Sequence, residues 1–173
     1  IRKMQEEVDA VLIDNFTASY KGVSYLLSKG HKRIAIVNGD EKLILYQQRL
    51  QGYIRALEKS GISYDPSLMM SVSNEDSCYD VVSSFLRREN HIDAIFATSD
   101  LLALEVMRAV HDAGFLIPDD VSIMGFDDLP FSPFLSPPLT TVHQPLYQMG
   151  QVAAERLIAL IENGQSEPCI NVM

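Results

Sequence analysis

No run of lysine or arginine occurs in this chain of 173 residues, and its net charge is -9. Such a surface repels phosphate, so the chain itself is not expected to grip nucleic acid or an anionic membrane. Cysteine is scarce. Cys78 and Cys169 stand outside any CxxC pattern, which argues against a disulfide framework or a cysteine zinc site and fits a reducing cytoplasm. No apolar run approaches the length of a membrane span. GxSxG, GxxxxGKS/T and GxGxxG are all missing, so no nucleophile elbow, phosphate loop or dinucleotide fingerprint is available. His31, His91, His111 and His143 are scattered, none at ligand spacing from another. No catalytic residue, no metal and no cofactor is therefore assigned. The chain opens IRKMQEE, without an initiator Met or a signal peptide, and is expected to start inside a domain.

What is present is a repeat. A short apolar run, a polar loop and an amphipathic helix ending near glycine follow one another along the chain. Strands are expected at Val8 to Ile13, Arg33 to Val37, Leu68 to Val72, Asp93 to Ala97 and Val121 to Phe126. The intervening helices carry Val23, Leu26 and Leu27, then Leu50, Ile54 and Leu57 within Tyr46 to Lys59. The next two carry Val82, Phe85 and Leu86, then Leu102, Val106 and Val110. Gly30, Gly61 and Gly114 sit where helix C-terminal caps belong. Ser73, paired with Asp76, is expected to open the third helix. A last helix is expected over Leu146 to Asn163, then a strand within Cys169 to Met173. Alternation of this kind predicts an α/β fold with a parallel, doubly wound sheet.

Ligands of such sheets gather beyond the C-terminal ends of the strands. Every strand exit here is polar: Asp14 and Asn15, Gly39 and Asp40, Ser73 and Asn74, Ser99 and Asp100, Asp127 and Asp128. Ser73 and Ser99 have a plain explanation as helix caps. Asp127 does not, because Pro130, Pro133, Pro137 and Pro138 keep a helix from following closely. Its carboxylate must be solvated, paired or bound to a ligand. Asp128 suits a turn or an ion pair. Arg49 is expected in the first turn of its helix, where a cation opposes the dipole and needs an offsetting partner. A carboxylate and a guanidinium that each fork to neighbouring hydroxyls make a sugar site. His143 lies in the proline segment, where it could line a cleft. A Mg2+ site built on Asp127 and Asp128, with Asp14 and Thr98, would mark a phosphotransferase instead.

Four segments, in this order, carry a resemblance: IDNFTASYKGVSYLLSKGHKRIAIVNG, RLQGYIRALEKSGI, DAIFATSDLLALEVMRAVHDAGFLIPDDVSIMGFDD and SPPLTTVHQPLYQMGQVAAERL. Together they resemble the effector-binding domain of the lactose-repressor (LacI/GalR) family over about Asp9 to Ile161. The resemblance implies a type-I periplasmic-binding-protein fold of two α/β lobes with effector between them. It implies residues 15–142 as one lobe nearly complete, the C-terminal one. Residues 1–14 and 143–173 would be remnants of the N-terminal lobe, and the DNA-binding headpiece would be absent. The family's arginine falls on Arg49 and its aspartate on Asp127. Ser99-Asp100 replaces the usual Asn-Asp, and Ser73 stands where many members have an aromatic. Gln144 matches a cleft-facing position. The apolar loop Lys42 to Leu45, with Leu45 as a candidate contact, implies an effector with an apolar portion, or a loop packed away from it.

Three functions follow as expectations. The first is a cytoplasmic, non-enzymatic effector sensor of a transcriptional regulator. It would take a sugar or sugar phosphate, reach DNA only through the missing headpiece, and work as a homodimer. The second is a sugar-binding receptor of a transport system. The third is the hydrolase or phosphotransferase. The apolar face of the last helix is expected to be covered by another chain or poorly ordered.

Overall fold

In the computed structural model, residues 9–73, 75–88, 91–164 and 169–173 are described. The chain divides into two compact units: Asn15–His143, and Ile1–Asp14 with Gln144–Met173.

The larger unit holds a five-stranded parallel sheet in the order β3-β2-β4-β5-β6. Its strands are β2 (Ile34–Asn38), β3 (Met69–Ser71), β4 (Ala94–Ala97), β5 (Ser122–Asp127) and β6 (Thr140–His143). The helices α1 (Asn15–Ser28), α2 (Ile44–Lys59), α3 (Cys78–Leu86) and α4 (Asp100–Asp112) flank it. Side-chain alternation sends the two halves of each strand to two cores. Ile34, Ile36, Ala94, Phe96, Met124 and Phe126 pack with Val23, Tyr53 and Leu57 of α1 and α2. Ala35, Val37, Ile95, Ala97 and Ile123 pack with Val82, Phe85, Val106 and Val110 of α3 and α4. All residues of β2 and β4 are buried, which is why these strands read as apolar runs, interrupted only by Asn38 at the end of β2.

Two local expectations need correction, and one strand is added. Helix α3 starts at Cys78, not beside Ser73: Ser77 is its N-cap and accepts from Asp80 N. The Ser73–Asp76 pair does form, with Asp76 Oδ2 accepting from Ser73 N at 2.9 Å and Oγ at 2.7 Å. It closes a turn ahead of the helix. Helix α2 starts at Ile44, two residues before Tyr46, so KLIL runs into its first turn. The segment Thr140–His143 is a full member of the sheet, in register with Met124–Asp127 of β5.

In the smaller unit, β1 (Ala10–Leu12) pairs in parallel with β7 (Ile170–Val172), and α5 (Leu146–Asn163) packs on β1. Arg156 Nε donates to Asp9 Oδ1 at 2.6 Å, and this bond holds the Asp9 carboxyl below its usual range. Leu146, Tyr147, Leu157, Ile158 and Ile161 of α5 are exposed.

Candidate functional site

Strand β2 leads through α2 to β3 on one side, and β4 leads through α4 to β5 on the other. The connections part between β2 and β4, and the crevice beyond their C-terminal ends is where an open parallel sheet takes its ligand. Arg49, Thr98 and Asp127 meet there.

Arg49 sits in the second turn of α2, so the helix dipole is a minor influence on it. Burial is the larger one: the residue is 5% exposed. Four neighbours offset that burial. Nε donates to Asn15 Oδ1 at 2.9 Å. Nη1 donates to the carbonyl of Thr98 and, at 3.4 Å, to Asp127 Oδ1. The guanidinium carbon stacks 3.6 Å from the centroid of Phe126. Desolvation lowers the Arg49 pKa and the charge of Asp127 offsets only part of that; an arginine so placed stays protonated. Ser19 Oγ, donating to Arg49 O at 2.6 Å, ties the backbone of α2 to α1.

Asp127 ends β5 with φ 122, and Asp128 follows with φ 57. Positive φ at a residue bearing a Cβ costs about 1–3 kcal/mol and persists only where the surroundings impose it. Here Asp128 is held at both its backbone and its side chain. Asp128 N donates to Thr141 Oγ1 at 3.3 Å, and its Oδ2 lies 2.7 Å from His143 Nδ1. The two adjacent acids thus divide their roles. Asp128 pairs across to β6, while the Asp127 side chain, 21% exposed, turns toward Arg49.

Asp100 is the support beneath this turn. It is fully buried, and its Oδ2 accepts from Leu129 N at 2.8 Å and Ser132 Oγ at 2.7 Å. Its Oδ1 accepts from Thr141 Oγ1 at 2.6 Å. Both oxygens of Asp100 thus face inward and hold the turn that carries Asp127. A Cβ at Gly125 would lie 2.2 Å from Asp100 Oδ1, so β5 needs glycine where it passes the carboxylate. Ser99 is the N-cap of α4 and accepts from Leu102 N at 3.2 Å.

Of the other candidates, Leu45 is half-buried in the first turn of α2, behind Leu43 and Ile44, which are 47% and 46% exposed. The loop is therefore not packed away. Ser73 is exposed and engaged with Asp76. Gln144 opens the smaller unit and is half-buried. Asn15 and the Thr98 carbonyl were not singled out as site groups. Asn15 carried a signal as a strand-exit amide, but a backbone carbonyl leaves none in a sequence. Thr98 Oγ1 is tied to Val37 O and Gly39 N. Among the described residues, no group of three or more His, Cys, Asp or Glu could hold a metal ion.

An open α/β sheet with a charged pair at its switch point defines a ligand-binding class. Comparison with known proteins narrows it. The periplasmic binding protein-like domain model matches residues 23–172. The chain is 35% identical to the HTH-type transcriptional repressor CytR of Escherichia coli (strain K12) over 165 residues, covering 93% of this chain and 47% of that protein. It is 36% identical to the HTH-type transcriptional regulator CelR of Thermobifida fusca, covering 95% of this chain and 48% of that protein. A solved CelR-cellobiose complex superposes with a TM-score of 0.89 at 34% identity, over 97% of this chain and 52% of that one. A sugar-binding LacI-family regulator of Escherichia coli, complexed with phosphate, gives 0.84 at 31% identity, over 94% and 59%. The chain belongs to the periplasmic binding protein-like domain family, in the branch carried by LacI-family transcriptional regulators. It spans about half the length of the curated relatives it matches.

Proposed function

We propose that this chain is the effector-sensing part of a LacI-type transcriptional regulator and that it binds a sugar or sugar phosphate at the Arg49–Asp127 crevice. The observation that carries this is the immobilised guanidinium. Arg49 is fixed by Asn15, Thr98 and Phe126 and set 3.4 Å from a carboxylate at the end of a neighbouring strand. Two planar, oppositely charged forks at fixed spacing suit adjacent ring hydroxyls. The cellobiose bound to a structural neighbour supports the ligand class. Leu43 and Ile44, exposed at the start of α2, suit the apolar face of a pyranose or an aglycone. Ser99 and Asp100 shape the crevice from behind, and Ser73 and Leu45 border it.

The proposal extends to the whole protein. Residues 15–142 form the C-terminal lobe, while 1–14 and 143–173 belong to the N-terminal one. The regulator works in the cytoplasm as a homodimer, catalyses nothing, and meets DNA through a separate headpiece. Effector changes operator affinity by binding one domain arrangement better than the other. Kinship with repressors favours this reading over a transport receptor.

The test is a thermal-shift screen of sugars and sugar phosphates on the full-length protein, repeated with Asp127→Ala and Arg49→Ala. A hit lost on both substitutions supports the site. A hit insensitive to both removes it. Turnover of the hit, with a Mg2+ requirement, would overturn the non-enzymatic reading.

A further inference from the structure

We propose that Asn38 is a specificity residue of the same crevice, whose buried carboxamide takes a hydroxyl of the bound sugar. This rests on the function proposed above. Asn38 ends β2, the strand IAIVN, and is completely buried. Neither its Oδ1 nor its Nδ2 has a hydrogen-bond partner among the described residues. A buried amide left so is a standing cost that an apolar residue of similar shape would avoid. Asparagine is also a poor strand former, so neither packing nor propensity explains it here.

Its position points to the ligand crevice. Val37 is in register with Ala97, which sets Asn38 beside Thr98, the residue whose carbonyl accepts from Arg49. Alternation along β2 turns Asn38 to the face of Ile34 and Ile36, the same face that α2 and Arg49 cover. The next residue, Gly39, is bare backbone with the Tyr46 ring against it. A Cβ there would lie 2.3 Å from Tyr46 Cζ. Tyr46 is half-buried in the first turn of α2, beside the exposed Leu43 and Ile44. Its ring therefore lies between the residue after Asn38 and Arg49, whose guanidinium carbon is 5.9 Å from the ring centroid. A hydroxyl is the matching guest, since it can donate to Oδ1 and accept from Nδ2 at once.

The experiment is isothermal titration of the full-length protein with D-glucose, D-ribose and cellobiose, in wild type, Asn38→Leu and Asp127→Ala, with melting temperatures of the sugar-free proteins. For whichever sugar binds, Asn38→Leu is expected to weaken affinity about tenfold or more. The sugar-free Asn38→Leu protein is expected to melt at or above the wild-type temperature. Unchanged affinity in Asn38→Leu beside lost binding in Asp127→Ala overturns the role of Asn38 and leaves the site standing. Affinity unchanged in both variants, or no binding of any of the three sugars, overturns site and inference together. A sugar-free Asn38→Leu protein that melts several degrees lower shows the amide already satisfied, and overturns the inference alone.

Discussion

The guanidinium carbon of Arg49 lies 3.6 Å from the centroid of the Phe126 ring, and Asp127, the residue after Phe126, is the acid that Arg49 meets. One strand end therefore supplies both the apolar platform and the counter-charge. Lysine can supply neither the stacking plane nor the fork of donors. Arg49→Lys is expected to lose about 2 kcal/mol of stability in urea unfolding, the magnitude of a desolvated cation–π contact. A cost near zero would mean that the stack contributes little.

Asp100 gathers three donors in the dark of the fold. Asp100→Ala leaves Leu129 N, Ser132 and Thr141 without their acceptor, and is expected to cost several kcal/mol, about 1–3 kcal/mol for each donor left unpaired. Asp100→Asn keeps one oxygen and is expected to cost about 1–2 kcal/mol. The order of the two midpoints in urea checks the assignment; equal midpoints would contradict it.

Burial pushes the Cys78 thiol up to about 12, whereas Cys169 is exposed. Thiolate is the reactive form. At pH 8 the native protein is expected to release one equivalent of colour with a disulfide reagent quickly, and the second only on unfolding. Two fast equivalents would show that Cys78 is reachable.

The Tyr53 phenol is raised well above its ordinary value of 10.0, by burial first and then by Tyr64 and Asp65. Its hydroxyl donates to Ile34 O at 2.8 Å. An acid with a raised folded pKa stabilises the protein fully below its unfolded value. That contribution is lost as pH climbs through the folded one. Stability is therefore expected to fall above about pH 10, and Tyr53→Phe should flatten the fall. Tyr64, also raised, contributes in the same direction.

Much of this fold was readable because both faces of the sheet are covered. The central residues of β2, β4 and β5 had to be apolar in succession, and they announce themselves. β6 did not: TTVH is short, has one apolar residue in four and is framed by prolines, and only its pairing with β5 makes it a strand. The start of α3 was misplaced because Ser73 and Ser77 both offer caps, and a local pattern cannot choose between them. In the site, Asp127 stood out because prolines denied it a helix. Asp100 carried no sequence signal for its three donors, because a strand-exit acid looks the same whether it faces solvent or, as here, Leu129 N, Ser132 and Thr141. Asn38 fell outside the strand expected over Arg33 to Val37, and only its complete burial without a partner among the described residues gives it meaning.

A crystal structure of the full-length protein with its best-binding sugar measures the central relationship directly. The expected result is a pair of neighbouring ring hydroxyls, one about 3 Å from an Asp127 oxygen and the other about 3 Å from an Arg49 nitrogen. A sugar seated elsewhere, with the contact between residues 49 and 127 intact and no sugar oxygen near either, would contradict it.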